Sequence, residues 1–314
     1  MQNRQEIISS LRETSRKNGY SVMCADETLS YAFDVILKRD NKTMVIKVMG
    51  NVGLLTEEAS RSLIAFAKFL DAYPIVIGLS NREEKIEDGV VYTRYSIPII
   101  SPNTLLSYIT EEEEPCVRAG PGGFYVVINS EKLRRIRTER SLSLGDIAKS
   151  IGTTRRTVLM YESGMSTSID IALKMEEFLG EEIMESISFL WHLDDEGTNT
   201  GFKKMKEFER LVNYEISKKG FSIYPIKRSI VNFLMEDTQS SYLGGIEEEL
   251  SKISRRARYL RELSELSQKD GVLIVKKMSE RPRIEEIPVI TFSELEEFQD
   301  KDELKEVIRE RRSL

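Results

Sequence analysis

The stretch Leu142–Gly164 constrains this chain more than any other. Ser143 can cap a helix that carries Leu144, Ile147, Ala148 and Ile151 on one face. Gly152 supplies the unusual backbone angles that a tight turn between helices demands. Thr153 or Thr154 then caps a second helix, with Arg155, Arg156 and Thr157 in its first turn. Val158 and Tyr161 hold that helix against the first. In the preceding helix, Glu131–Arg140, Leu133 and Ile136 stand three apart and complete the core. The pattern predicts a helix-turn-helix, which lays its second helix in the major groove of double-stranded DNA.

Charge singles out the same stretch. The chain as a whole carries a net charge of −6. Between residues 129 and 164, however, eight basic residues (Lys132, Arg134, Arg135, Arg137, Arg140, Lys149, Arg155, Arg156) face four acidic ones (Glu131, Glu139, Asp146, Glu162), a local net of +4. A basic patch on an acidic body steers a duplex to one face and repels it from the rest. A solvated helix face is the alternative for Arg134, Arg135 and Arg140 taken singly.

At 314 residues there is room for two or three domains with real cores, and 40% hydrophobic against 31% charged residues is ordinary for a soluble protein. No apolar run approaches the ~18 residues of a membrane span, and the polar start is no signal peptide. Cys24 and Cys116 lack metal-site spacing, and His192 is the sole histidine, which removes a histidine triad and most histidine-ligated metals. The expectation is a cytoplasmic protein with no metal and no cofactor.

Two segments read as linkers: Ile109–Pro115 running into Gly120–Gly123, and Leu193–Gly201. Between them Phe124–Asn129 reads as a strand. Ser168 can cap a helix through Ile171, Leu173, Met175, Phe178 and Leu179, and Ile183–Trp191 reads as its helical continuation. The first segment runs helix (Ile7, Ile8, Leu11), strands Tyr20–Cys24, Tyr31–Lys38 and Met44–Val48, helix (Leu63, Phe66, Ala67, Leu70), strands Ile75–Leu79 and Ile97–Ile100, then helix (Leu105, Leu106, Ile109). The third segment repeats this plan: Lys218–Phe221 mirrors Arg16–Tyr20, Ile230–Met235 mirrors Phe33–Leu37, the helix through Ile253, Ala257, Leu260 and Leu263 mirrors that at Leu63, and Gly271–Val275 with Ile287–Ile290 completes the set. Ile246, Leu250, Ile253, Ala257 and Leu260 form a short heptad-like stripe, read either as packing on the helix's own sheet or as a dimer seam.

The order Arg137, Leu142-Ser143, Ile147-Ala148, Gly152, Thr153–Thr157 and Tyr161-Glu162-Ser163-Gly164 resembles the Cro/repressor type of helix-turn-helix. The resemblance implies an Arg137–Glu162 ion pair and base-edge or phosphate contacts from Thr154, Arg155, Arg156, Thr157 and Met160; Ser143, Thr153 and Arg134 are further expected DNA-binding residues. Leu144 departs from that family, which commonly has a phosphate-touching Gln there. Leu159 and Met160 put apolar groups where relatives carry polar base readers. A thymine methyl or a protein partner could meet them.

The flanking α-β-β-β-α-β order, with Asp34 on one strand and Lys47 ending the next, resembles the restriction-endonuclease-like fold. Nucleases of that class need a second acid two residues before the Lys, and here Val45 stands there. Asp34 then reads as a strand-end or turn residue and Lys47 as a surface side chain. In the third segment Asn232 and Gly244 fall near these positions. Such a domain, a Cro/repressor-type motif and a further domain together resemble the archaeal family of HTH-type transcriptional regulators.

The expectation is a multidomain α/β plus all-α protein. It has an α/β domain, restriction-endonuclease-like and non-catalytic, over residues 1–123; a central five-helix DNA-binding domain over 124–192; and a second α/β domain, a degenerate repeat, over 200–314. The function expected is sequence-specific regulation of transcription by a homodimer on a two-fold symmetric site, with half-sites about 34 Å apart. A nuclease using Asp34 and Lys47, and an adaptor docking through Leu144, Leu159 and Met160, are the alternatives. The operator, the sense of regulation and any small-molecule effector stay open.

Overall fold

A computed structural model describes residues 3–25, 32–192, 205–226, 229–277 and 281–314. The linker reading at Leu193–Gly201 and the start of the Tyr31 strand lie outside them. The chain forms two compact units, Met1–Val48, Leu54–Pro74 and His192–Leu314 in one, Met49–Gly53 and Ile75–Trp191 in the other.

The first unit opens with α1 (Arg4–Lys17), capped by a reciprocal pair in which Asn3 accepts from the Glu6 amide and Glu6 accepts from that of Asn3. Its face of Ile7, Ile8 and Leu11 is buried. β1 (Ser21–Cys24), β2 (Val35–Arg39) and β3 (Lys42–Asn51) pair antiparallel in that order. The β2–β3 turn passes through Asp40, whose φ of 53° short polar side chains tolerate. α2 (Glu57–Phe69) stacks Phe66 on Phe33 with ring centroids 4.7 Å apart.

The second unit contains most of β4 (Tyr73–Asn81), then β5 (Glu84–Lys85), β6 (Val90–Arg94), β7 (Ile97–Ile100), α3 (Pro102–Glu111), β8 (Val117–Gly120) and β9 (Gly123–Val126). β4 lies parallel to β7, β7 antiparallel to β6, β6 parallel to β8 and β8 antiparallel to β9. Thus Gly120–Gly123, expected as linker, is the tip of a hairpin. Gly122 and Gly123 take φ of 84° and 150°, which only glycine adopts freely. The flanking strands are only four residues long, too short to show a period.

After β9 come α4 (Ser130–Glu139), α5 (Leu144–Ser150), α6 (Arg155–Tyr161), β10 (Thr167–Ser168) and α7 (Ile169–Leu179). β10 pairs antiparallel with β9, stitching the helices to the strands. Leu133, Ile136, Ile147, Ala148, Ile151, Val158, Ala172, Met175 and Leu179 share one buried cluster. Ser168 stands at the start of α7 but makes no side-chain capping bond. The fifth helix expected over Ile183–Trp191 is not one. That segment runs extended beside Val127–Asn129, with the Asn129 amide donating to Ile183 and the Glu185 amide to Val127. Phe189 is buried there, and Ile187, Leu190 and Trp191 are half-buried. Phe189 meets Tyr108 edge-on at 5.0 Å.

The remainder of the first unit comprises α8 (Glu207–Lys218), β11 (Ser222–Pro225), β12 (Phe233–Glu236), β13 (Ser241–Glu247), α9 (Leu250–Ser267), β14 (Asp270–Val275), β15 (Arg283–Ile284), β16 (Ile287–Thr291), α10 (Phe292–Glu297) and α11 (Lys301–Ser313). Its sheet runs β11-β12-β13-β14-β16-β15. Ile246 belongs to β13, not to α9, and Leu250 is exposed. The expected stripe is therefore broken at its first two positions, while Ile253, Ala257, Leu260 and Leu263 are buried.

The surroundings of Asp34 and Asn232 match bond by bond. The Asp34 amide donates to Ile46 and its carbonyl accepts from Ala25; the Asn232 amide donates to Gly244 and its carbonyl accepts from Ile226, every distance being 2.8 Å. The Val48 amide donates to the Asp34 side chain, as the Ile246 amide does to that of Asn232. Gly245, not Gly244, therefore stands where the first copy has Lys47. Within this unit the copies touch: Lys38 Nζ donates to the Leu266 carbonyl at 2.8 Å, and Lys269 lies over the Phe69 ring.

Candidate nucleic-acid interface

Local capping chemistry builds the α5–α6 pair. Ser143 and Asp146 cap α5 reciprocally: the Asp146 amide donates to Ser143 Oγ at 3.2 Å, and the Ser143 amide to Asp146 at 2.7 Å. Hydrogen bonding to the Ser143 side chain, and then to its amide, holds the Asp146 carboxyl below its ordinary pKa. Gly152 adopts φ 71° in the turn, and the Thr153 amide closes onto the Ala148 carbonyl at 2.8 Å. Thr154 caps α6, its Oγ1 accepting from the Thr157 amide at 3.1 Å and lying 2.8 Å from Thr157 Oγ1.

On this frame α6 buries Val158 and Tyr161 and turns its other face outward. Thr154, Arg155 and Arg156 are exposed, Thr153 and Thr157 half-buried, and Leu159 and Met160 exposed at 50% and 44%. Ser143 is exposed at the start of α5. Arg155 passes over Gly145, where an added Cβ would lie 2.9 Å from Arg155 Nε. That glycine had no role in the sequence reading, although a glycine opposite an arginine one helix away is a signal of close approach.

A charged clamp fixes the far end of α6. Arg137 Nε and its terminal nitrogen donate to the two Glu162 oxygens at 2.6 and 3.1 Å, with the Glu162 side chain only 1% exposed. The hydrogen bonds that Arg137 donates to Glu162 raise its pKa, so the guanidinium stays charged. Arg134 donates to the Glu162 carbonyl at 2.9 Å and leaves most of its side chain exposed, so one residue braces α6 and fronts solvent. Arg140 is engaged elsewhere, with the Leu179 carbonyl and Glu181. Arg118 of β8 reaches Ser166 beyond α6 at 3.0 Å, a link that sequence spacing does not reveal.

The other candidate site lies in the first unit. Asp34 is fully buried just ahead of β2, its Oδ1 2.5 Å from Arg4, its Oδ2 accepting from the Val48 amide at 2.6 Å and 3.9 Å from Lys47 Nζ. Lys47 does not reach out to the surface: its side chain is 14% exposed, and burial lowers its pKa against the raising effect of Asp34. The strand carrying it is buried on both faces.

Two family models match: a PD-(D/E)XK superfamily domain over residues 4–115 and a helix-turn-helix over residues 133–185. No solved structure matches the chain. A protein of Methanococcoides burtonii named "Putative HTH-type transcriptional regulatory protein" is 33% identical over 97% of this chain and 96% of its own length. Relatives of the same description are 33% identical in Thermoplasma volcanium, over 96% of each chain, and 31% in Picrophilus torridus, over 100% of this chain and 99% of the relative. With identity of this order along essentially the whole of both chains, the protein belongs to this archaeal family of HTH-type transcriptional regulatory proteins.

Proposed function

We propose that the protein is a sequence-specific double-stranded DNA-binding transcriptional regulator. It acts in the cytoplasm as a homodimer on a two-fold symmetric site, with α6 entering the major groove. The observation that carries this reading is α6 itself, a rigidly capped and clamped helix whose outward face holds Thr154, Arg155, Arg156, Thr157 and Met160. Arg155 and Arg156 serve as phosphate clamps or guanine readers, and the Met160 side chain suits a thymine methyl. Ser143 and Thr153 present the start of α5 and the turn to the backbone, and Arg134 offers its exposed guanidinium at the far end of α6. One such helix reads few bases, so two copies are expected, half-sites about 34 Å apart. The segments 1–123 and 200–314 act as non-enzymatic frames for the segment 124–192, because Val45 stands where a nuclease needs its second acid.

The apolar exposure of Leu159 and Met160 favours one second reading, an adaptor that docks a protein on α6. The two readings separate in a retention assay on DNA fragments. Arg155→Ala with Arg156→Ala abolishes retention if α6 reads DNA. Retention unchanged by that pair, with a captured partner protein lost on Met160→Glu, favours the adaptor.

A further inference from the structure

The PD-(D/E)XK superfamily match raises the question of a divalent cation, since nucleases of that class hold one between carboxylates. The residues present do not fit one. Val45 replaces the second acid, and among the described residues no cluster of three metal-ligating side chains exists around Asp34 or elsewhere. Asp34's oxygens are also occupied. Oδ1 accepts from Arg4 at 2.5 Å, and Oδ2 accepts from the Val48 amide at 2.6 Å with Lys47 Nζ 3.9 Å away.

The second copy is filled by a different set of partners. Asn232 occupies the place of Asp34, and its Oδ1 accepts from the Ile246 amide at 2.8 Å and from Arg256 at 2.6 Å. Arg256 comes from α9, whereas Arg4 comes from α1. Arg256 also donates to the Ile230 carbonyl at 2.8 Å and to Glu247 at 3.1 Å, so its charge is compensated where Asn232 supplies none. Gly245, the counterpart of Lys47, has no side chain, and a Cβ there would stand 3.1 Å from Arg256 Cδ. Leu260 Cδ1 and Leu273 Cδ1 would lie nearer still, at 2.7 and 2.9 Å, so two leucines and the arginine together fill the space beside Gly245.

We infer that in the first copy an arginine of the chain itself, Arg4 on Asp34, stands in place of the divalent cation and closes the position as a permanent, metal-independent polar core. The second copy is not a superposition of the first: Asn232 Oδ1, which accepts from the Ile246 amide, corresponds to Asp34 Oδ2, while Asn232 Nδ2, in the place of the oxygen that Arg4 meets, donates to Glu209 at 3.3 Å. A buried carboxylate needs a compensating charge, and a fixed guanidinium supplies it at any metal concentration. The inference holds whichever partner α6 docks, because it concerns neither DNA nor the helix-turn-helix.

The test is calorimetric titration of full-length protein with Mn²⁺, beside thermal unfolding of wild type, Arg4→Ala, Arg4→Lys and Arg4→Ala with Asp34→Asn. The expected results are no Mn²⁺ uptake by wild type up to millimolar concentration and a melting temperature indifferent to Mn²⁺ or EDTA. Arg4→Ala melts several degrees lower, Arg4→Lys loses less, and adding Asp34→Asn recovers part of the loss because a neutral amide needs no cation. Stoichiometric Mn²⁺ binding by wild type that Asp34→Asn abolishes overturns the inference, as does an Arg4→Ala protein that melts like wild type. If Arg4→Ala fails to fold, the wild-type titration and Arg4→Lys still decide it.

Discussion

Arg137 and Glu162 join helix α4 to the end of α6 through two parallel hydrogen bonds of 2.6 and 3.1 Å, with the carboxylate buried. This pair, rather than apolar packing alone, fixes the angle at which α6 leaves the bundle. Arg137→Ala strands a buried carboxylate, which costs about 3 kcal/mol. Urea unfolding followed at the helical signal should show that loss, and Arg137→Ala with Glu162→Gln should recover part of it.

Thr154 caps α6 through the Thr157 amide. Thr154→Ala should cost about 1 kcal/mol of stability and, on the proposed reading in which the same side chain fronts the groove, weaken DNA binding further. Thr154→Ser keeps the cap. An affinity for DNA in Thr154→Ala equal to that of Thr154→Ser would show that the cap does not position the reading helix.

Arg155 and Arg156 differ from a generic basic patch in standing on the outward face of a helix. If each neutralises one phosphate, replacing either with Ala lowers the slope of log affinity against log salt by roughly 0.9. If one instead pairs with a guanine edge, its loss costs roughly 1–3 kcal/mol at that base pair only. Titrations of one duplex and of its single-base variants at several salt concentrations distinguish these roles.

Glu294 makes a prediction about pH. Burial pushes its carboxyl up, but hydrogen bonds from Arg311 and Thr291 outweigh that and hold it at about 2, against an ordinary 4.5. Asp237 is likewise held well below the usual carboxylate range, chiefly by Lys305. A carboxyl depressed in the folded state stabilises the fold above its ordinary pKa, and that contribution is lost as pH falls toward the folded value. Stability of the first unit should therefore decline from about pH 4.5 toward pH 2. Glu294→Gln should flatten part of the decline, as read by melting temperature across that range.

Much of the central module is legible in the sequence because its signals are local. Ser143, Gly152 and Thr154 act within a few residues of themselves, so spacing alone finds the caps and the turn. Ile183–Trp191 misleads because Ile183 and Ile187 stand four apart, a helical spacing. Only the carbonyls of Val127 and Pro115, distant in sequence, commit the segment to extended chain. The short strands Val90–Arg94 and Val117–Gly120 give no period to read. Arg4 and Arg256 are invisible as site residues for a different reason: each reaches its oxygen from a helix remote from the strand that carries it. The shift from Gly244 to Gly245 opposite Lys47 shows the same limit, since register is settled by hydrogen bonds and not by residue type.

The measurement that bears most directly on the central claim is selection of bound duplexes from a random DNA pool at about 150 mM salt, where nonspecific phosphate attraction is already weakened. Wild type and Arg155→Ala with Arg156→Ala would be run side by side. The account predicts that wild type alone enriches a two-fold symmetric motif with half-sites about one helical turn, or a multiple of it, apart. No enrichment by wild type, or the same motif enriched by the double variant, would contradict it.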